Sequence, residues 1–464
     1  MSRKGGRESR AERPGRAARR VAFDVIRAVT ESDAYANLLL PTRLARAGIS
    51  GADAGLATEL TYGTLRQLGY YDSVIELAAR RGVDTIDPPI LDVLRLGAHQ
   101  LLGMRVAQHA AVDESVELAR EIGTRSSTGF VNGVLRTISR TGADEWRQRV
   151  LATPKSGDDR LAAEHSHPAW VVRAFRQALR AEGRENELEA LLEADNVAPR
   201  VTLAALPGLA TASDLDGADP GRFSPFAAVS PGGDPRRWPA VRDGWVRVQD
   251  EGSQLAALAL TRARPIGTGE RWLDLCAGPG GKTALLAAEA LGSDVELIAN
   301  ELVPARAELV RNAVAAFERP PVVRVGDGRS IGENEPGRYH RILLDAPCTG
   351  LGALRRRPEA RWRKQPRDVP ELTTLQGELI DSAVAALAPG GLLAYVTCSP
   401  HVAETRVIVE RAVAAGLEQL DTPGVLGRVT NQPLELADAL HVQLWPHRHG
   451  TDAMFIALLQ KPAE

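Results

Sequence analysis

Three cysteines, Cys276, Cys348 and Cys398, each sit inside a short motif whose residue types could do chemistry. The motifs are Asp-Leu-Cys-Ala-Gly-Pro-Gly-Gly-Lys-Thr (274–283), Asp-Ala-Pro-Cys-Thr-Gly (345–350) and Val-Thr-Cys-Ser-Pro (396–400). A chain of 464 residues with only three cysteines is not using them as disulfide staples. The last two each follow a short apolar run, 341–345 and 392–397. In a parallel α/β sheet such runs are buried strands, and ligands bind at their carboxyl ends. If these two strands are neighbours, two thiols and Asp345 converge on one crevice beside a glycine turn. That pairing points to covalent chemistry on an electrophilic ring.

The turn itself is close to two other motifs. A phosphate-cradling loop needs Gly-x-x-x-x-Gly-Lys-Ser/Thr; Gly281, Lys282 and Thr283 fit, but position 276 is cysteine. A dinucleotide fingerprint built on Gly278 and Gly280 would need glycine at 283 and finds threonine. The reading that remains is the S-adenosylmethionine loop of a methyltransferase, with glycines admitting a ligand close to backbone and a helix N-terminus offering free N–H groups. Acids downstream support it. Glu301 follows a second strand, where a carboxylate can take both ribose hydroxyls. Asp327 follows a third, placed for the adenine amine, and Asp345 ends a fourth. With Asp274, four successive strands end in an acid, although any one of them could be a turn or helix cap.

The elements that must position these groups read as three domains after a basic arm. Residues 1–17 are too polar to pack and rich in arginine, so a disordered arm is expected. Helical periodicity over 18–145 (Val21, Val25, Val29; Leu91, Leu94, Ala98, Leu101; Val112, Val116, Ala119; Phe130, Val134, Ile138) predicts an all-α domain of six or seven helices. Residues 146–240 read as a small α+β connecting domain with a Pro/Gly-rich seam. From 241 to 464, strand-like runs at 271–275, 295–300, 322–325, 341–345, 392–397 and 453–459 alternate with helical segments, predicting a Rossmann-like α/β domain.

Composition sets broad limits. Hydrophobic content of 44% and charge of 25% are ordinary for a soluble globular chain, and no apolar run reaches the ~20 residues that cross a bilayer. With no apolar signal core and no paired cysteine spacing, a cytoplasmic protein without disulfides, membrane contact or metal is expected. The net charge of −2 hides an uneven distribution. Arg355, Arg356, Arg357, Arg361 and Arg363, with Trp362 among them, follow the Cys348 motif and are candidates for phosphate contact. Trp362 either stacks on a base or packs against the loop. His165, His167, His447 and His449 lack an acid–cysteine partner set and read as surface or loop residues. Cys276 reads as a small packing residue in the turn.

Paired thiols suit a pyrimidine ring. Its C5 is a poor nucleophile until a thiolate adds at C6, after which C5 can take a methyl group from a sulfonium. A carboxyl at N3, such as Asp345, eases the addition; a base then removes the C5 proton and the thiol is expelled. The combination Asp-Ala-Pro-Cys-Thr-Gly-Leu-Gly, Arg-Arg-x-Pro-Glu-x-Arg-Trp (355–362) and Thr-Cys-Ser (397–399) resembles the RNA cytosine-5 methyltransferases. The resemblance implies Cys398 as the attacking thiol, Cys348 as the residue that aids release and Asp345 at N3. It implies a cofactor site at Cys276, Ala277, Gly278, Pro279, Gly280, Gly281, Lys282, Glu301, Asp327 and Asp345. DNA cytosine-5 enzymes attack from Pro-Cys and lack Thr-Cys, so the second cysteine favours RNA.

Gly-Phe-Val-Asn-Gly-Val-Leu-Arg (129–136) is similar to the RNA-binding domain of the antitermination factor NusB. Joined to the catalytic motifs through 166–170 and 248–253, it makes the chain resemble the bacterial RsmB (Fmu/Sun) 16S rRNA methyltransferases over 18–462. That resemblance implies a monomer acting on small-subunit rRNA or a pre-ribosomal particle. The same chemistry on tRNA stays open, as does a NusB-like assembly factor with an inactive methyltransferase domain. The chain departs from the family at Glu404-Thr405, where Glu-Asn is common, and at Asp452-Ala-Met-Phe, where Asp-Gly-Phe-Phe is usual.

Overall fold

Apolar residues three and four positions apart give the N-terminal part its helices. In the computed structural model, which describes residues 15–32, 34–152 and 156–463, these are α1 (Arg16–Ser32), α2 (Ala36–Arg46), α3 (Gly51–Arg66), α4 (Leu68–Ala79), α5 (Pro88–Leu102), α6 (Gln108–Ile122) and α7 (Arg125–Ser139). Val21, Val25 and Val29 of α1, Leu91, Leu94 and Ala98 of α5, and Val134 and Ile138 of α7 meet in one core. Two further helices, Ala143–Leu151 and Gly157–Glu164, extend the unit. Residues 1–14 of the expected basic arm lie outside the described residues. Arg16 already begins α1, so the helix starts before position 17.

The chain divides into two compact units, 1–169 with 356–363 and 170–355 with 364–464. The segment 146–240 is therefore shared between them and does not form a connecting domain of its own. Of its helices, Ala143–Leu151 and Gly157–Glu164 pack on α4, whereas Ala169–Arg180 and Leu188–Ala194 fall to the second unit. Its second part supplies a small antiparallel sheet, β1 (Thr202–Ala205), β2 (Asp219–Pro220), β3 (Ala227–Val229) and, just beyond it, β4 (Val246–Val248), in the order β2-β3-β1-β4. Leu203, Ala205, Ala228, Trp238 and Val246 form its core.

The larger sheet of the second unit holds β5 (Glu270–Asp274), β6 (Val295–Glu301), β7 (Val322–Val325), β8 (Tyr339–Asp345), β9 (Leu387–Thr397), β10 (Glu418–Gln419), β11 (Val442–Gln443) and β12 (Phe455–Gln460). Its order is β10-β12-β9-β8-β5-β6-β7, with β11 also on β12. The five strands β7, β6, β5, β8 and β9 are parallel, and β12 runs antiparallel to β9. Both faces are covered, which is why the strands read as continuous apolar runs. Along β8, Leu343 enters the core on one face and Ile342 and Leu344 the core on the other, as the two-residue period requires. Chain order reverses between β5 and β8, so the carboxyl ends of these two strands flank the crevice where such sheets bind ligands.

One charge sits inside an expected apolar strand. Arg341 of β8 is fully buried, but its guanidinium donates to Glu270 Oε2 (2.7 Å) and to the carbonyls of Leu260 (2.9 Å), Thr261 (2.9 Å) and Pro265 (2.8 Å). It satisfies the last carbonyls of the helix Glu251–Thr261, which have no partners within the helix. Among the described residues no helix is long and apolar enough to cross a membrane.

Candidate active site

The glycine turn leaves β5 at Asp274 and enters the helix Gly281–Glu289. Gly280 has φ of +102°, and a Cβ there would stand 2.6 Å from Ala313 Cβ and 2.9 Å from Val310 Cα. Glycine is required both for the backbone conformation and for the close approach of the helix Pro304–Val314. At Gly278 a Cβ would come within 2.4 Å of Glu301 Oε2, the atom that accepts the Gly278 N–H at 2.9 Å. Glu301 ends β6, and its other oxygen accepts from Val303 N at 3.0 Å. Asn300, beside it, was not singled out from sequence. Its amide donates to the carbonyls of Leu275 (3.1 Å) and Gly326 (3.0 Å), tying three loops at the strand ends.

Asp327 follows β7 as expected, but Arg329 covers it: the backbone N–H donates at 3.0 Å and the guanidinium at 2.6 Å. These bonds hold the Asp327 carboxyl below the usual carboxylate range. Asp274 is buried, and Thr283 Oγ1 donates to its Oδ2 at 2.6 Å. Burial pushes its carboxyl up to about 7. Its Oδ1 has no hydrogen-bond partner among the described residues. Cys276 packs at the edge of the core beneath the sheet, and burial pushes its thiol up.

Lys282, in the first turn of the helix, reaches across to β8 and donates to Asp345 Oδ2 at 2.7 Å. Burial works against its charge, but the adjoining Asp345 carboxylate overrides it and the ammonium is held above its ordinary range. Past Asp345 and past Thr397 the chain turns into two loops that bring the cysteines together. Cys348 Sγ lies 3.5 Å from Cys398 Sγ. The contact with Cys398, burial and the nearby carboxylates raise the Cys348 thiol well above its ordinary value. The pairing of β8 with β9, Leu344 opposite Tyr395 and Asp345 opposite Val396, sets the two loops side by side.

Two residues that sequence reasoning did not assign to the site fix these loops. Gly352 N donates to the Cys398 carbonyl at 2.8 Å, and its own carbonyl accepts from Ala453 N at 2.8 Å. A Cβ on Gly352 would lie 2.1 Å from Ala453 O. Glu404, fully buried, accepts from Thr349 N (2.7 Å), Thr349 Oγ1 (2.5 Å) and Ser399 Oγ (2.6 Å). Both lie in the segments where the chain departs from the expected motifs or contact them. The signal for Gly352 is the motif's final glycine, and that for Glu404 is the glutamate it keeps where the family commonly has Glu-Asn.

The arginine stretch is placed differently from expectation. Arg355 is buried, donating to Asp452 Oδ1 (3.1 Å) and Asp250 Oδ2 (3.2 Å). Arg361 is fully buried and donates to the carbonyls of Arg66 (3.0 Å) and Ser166 (3.1 Å). Arg363 bonds the Val29 carbonyl at 3.2 Å and the Ala34 carbonyl. These guanidiniums are turned onto protein acceptors because each lies against a loop or helix end whose oxygens need donors. Arg356 is half-buried and Arg357 exposed, the latter over the Tyr35 ring at 5.7 Å. Trp362 lies against Gly69 of α4, so close that a Cβ there would meet its ring at 2.3 Å. Of the histidines read as surface or loop residues, His165 and His167 do lie in the connection between two helices, but not at the surface. His165, His167 and His449 are buried; His449 accepts from Trp445 N at 2.8 Å, and burial pushes it down to about 4.

Comparison with known proteins agrees with this layout. Residues 265–460 match the model of the 16S rRNA methyltransferase RsmB/F family, and residues 16–140 match the NusB family. A Mycobacterium tuberculosis (strain H37Rv) protein described as a methyltransferase is 51% identical, covering 97% of this chain and 97% of its own length. The ribosomal RNA small subunit methyltransferase B of Pseudomonas syringae pv. tomato is 31% identical over 96% of this chain and 97% of its own. Among solved structures, that of PH0851 superposes with a TM-score of 0.79 at 21% identity, covering 98% of this chain and 100% of its own. A methyltransferase homologue from Pyrococcus horikoshii gives 0.53 at 21% identity, covering 66% and 100%. A NusB-like helical domain followed by a Rossmann-like methyltransferase domain, with relatives of this identity along nearly its whole length, makes the chain a member of the RsmB/F family of 16S rRNA methyltransferases.

Proposed function

We propose that the protein uses S-adenosylmethionine to methylate C5 of a cytosine in 16S rRNA, through a covalent bond between Cys398 and C6. The observation that carries this reading is the 3.5 Å separation of Cys348 and Cys398 sulfurs on loops that follow adjacent strands, with Asp345, at the end of one of them, paired to Lys282.

The residues of the turn fit the cofactor. The glycines let the turn pack close to Glu301 and to the helix Pro304–Val314, and the buried, unpartnered Asp274 Oδ1 suits a ligand bearing an ammonium group. Cys276 through Lys282 would hold the amino-acid end, Glu301 the ribose and Asp327 the adenine. When bound, the cofactor supplies an electrophilic methyl group on a sulfonium.

The chain's own residues do the rest. The Cys398 sulfur forms a bond to C6, and the C5–C6 electrons move into the ring as N3 gains a proton. That proton comes from the Lys282 ammonium, passed through the Asp345 carboxylate that accepts its hydrogen bond, and it returns the same way when the C6–sulfur bond breaks. C5 then takes the methyl group and gives up its proton to a base, and the C6–sulfur bond breaks. The proton that Cys398 loses to solvent on attack is replaced on its departing sulfur by the neighbouring Cys348 thiol, which regains one from solvent. Such a site acts on an unstacked base, so a loop or an incompletely assembled particle is the expected substrate.

The test is methyl transfer to 16S rRNA and to 30S precursors by the whole protein, with bisulfite sequencing of rRNA and tRNA from a strain lacking it. Cys398→Ala is expected to lose turnover by about 10⁴-fold or more, on the scale seen when a nucleophile is removed, while still binding the cofactor. Cys348→Ala is expected to attack but not release, leaving a protein–RNA adduct that survives a denaturing gel. Turnover retained by Cys398→Ala would remove the nucleophile assignment, and a missing cytosine mark in tRNA alone would move the substrate away from rRNA.

A further inference from the structure

The two thiols stand on loops, not on strands, yet the proposed reaction needs them held to within a fraction of an ångström. Backbone pairing of β8 with β9 ends at Asp345 opposite Val396, before either cysteine. Beyond that point the loops need another tie, and one buried carboxylate supplies most of it. Glu404 Oε1 accepts from Thr349 N at 2.7 Å and from Gln376 Nε2 at 3.2 Å. Its Oε2 accepts from Thr349 Oγ1 at 2.5 Å and from Ser399 Oγ at 2.6 Å. Thr349 is the neighbour of Cys348 and Ser399 the neighbour of Cys398. Gln376 also donates to the Pro347 carbonyl at 2.7 Å, on the other side of Cys348.

Glu404 is itself fixed. It is fully buried, it closes the single helical turn Val402–Glu404, and its carbonyl accepts from Tyr395 OH at 2.7 Å. Tyr395 lies on β9 and is fully buried, so the carboxylate is referenced to the sheet. A carboxylate has about four acceptor sites in one plane, and here four donors from three segments fill them. A neutral amide offers acceptors on one side only and would present N–H groups to the donors on the other. Geometry of this kind is sensitive: a displacement of about 1 Å at a reacting group can cost ~10²-fold in rate.

We propose that Glu404 is the positioning residue that locks the Cys348 and Cys398 loops in register, keeping both sulfurs in reach of one pyrimidine ring. It touches neither sulfur and acts through Thr349, Ser399 and Gln376. The catalytic consequence rests on the cytosine-methylation reading, whereas the structural one does not, and the two are separable by experiment.

The test uses the whole protein and phenylarsine oxide, a trivalent arsenical that binds tightly only where two thiols can ligate one arsenic atom. Wild-type protein is expected to bind it, and Cys348→Ala is expected not to. Glu404→Gln is expected to bind at least tenfold more weakly. In the methyl-transfer assay the same variant is expected to lose about 10²-fold in kcat with little change in KM for RNA, while Glu404→Asp recovers less than Glu404→Gln because it is too short to reach both loops. If Glu404→Gln lowers the yield of folded protein, Ser399→Ala and Thr349→Val remove the donors one at a time and are expected to shift arsenical binding in the same direction. Wild-type arsenical affinity in folded Glu404→Gln overturns the proposal, whatever the activity. Weakened arsenical binding with undiminished kcat overturns it as well. Arsenical binding that depends on Glu404 in a protein that methylates no cytosine overturns the reading of the reaction and leaves the lock in place.

Discussion

Two stretches that adjoin in sequence, 345–354 and 355–363, treat their reactive-looking residues in opposite ways. In the first, Asp345 and Cys348 come out at strand ends and face other polar groups, Lys282 and Cys398. In the second, Arg355, Arg361 and Arg363 are turned inward onto carboxylates and carbonyls. A cluster of charges beside an active site therefore says little until its partners are known. Buried arginines are costly unless hydrogen-bonded, and the buried Arg355 and Arg361 and the part-buried Arg363 all donate to protein carboxylates or carbonyls. Asp345 and Cys348, by contrast, face polar neighbours at the strand ends and are the residues of this region proposed to act on a substrate.

That contrast is open to attack at both ends. Removing the Arg355 side chain leaves Asp250 and Asp452 without their shared cation, so Arg355→Ala is expected to cost about 3–5 kcal/mol of stability, the penalty for breaking a buried ion pair. Thermal or denaturant unfolding reads it. A variant of wild-type stability that had lost RNA affinity would put Arg355 back among the phosphate ligands and erase the distinction. On the other side, Gly352→Ala forces a Cβ against the Ala453 carbonyl and the Cys398 carbonyl. Neither is a flexible side chain, so the loop must shift. A stability loss of about 1–3 kcal/mol is expected for such overpacking, together with ~10²-fold slower methyl transfer from the displaced Cys398 loop. Full activity in Gly352→Ala would mean that the thiol loops tolerate movement.

The strands are legible because a sheet covered on both faces writes its strands as uninterrupted apolar runs; five of the expected six begin and end within two residues of β5, β6, β7, β8 and β12. β9 was announced from 392, but it starts at Leu387 and passes through Pro389, Gly390 and Gly391, residues that ordinarily mark a turn. The two-residue strands β10 and β11 carry no periodicity to read. Within the site, glycines, thiols and strand-end acids declare themselves by type and spacing. Asn300 does not, and Glu404 does so only as part of the family motif, because their importance lies in what they accept or donate after folding. Arg355 and Arg361 misled for the same reason: burial is a tertiary property, and a run of arginines looks the same whether it faces solvent or a helix end.

Arg357 marks the boundary between the two kinds of stretch. It is exposed, and its guanidinium lies 5.7 Å from the Tyr35 ring, a contact that costs little to lose in water. Arg357→Ala is therefore expected to change stability by no more than about 0.5 kcal/mol. If its charge meets a phosphate, RNA affinity falls evenly across sequences and the slope of affinity against salt drops by about 1. Filter binding of 16S rRNA fragments over a salt series measures this directly. An unchanged slope would assign the whole arginine stretch to architecture, and RNA binding would then have to come from surfaces elsewhere on the protein. A slope reduced by one for Arg357→Ala, beside an unchanged slope in a destabilised but folded Arg355→Ala, would draw the line between the two roles at a separation of two residues.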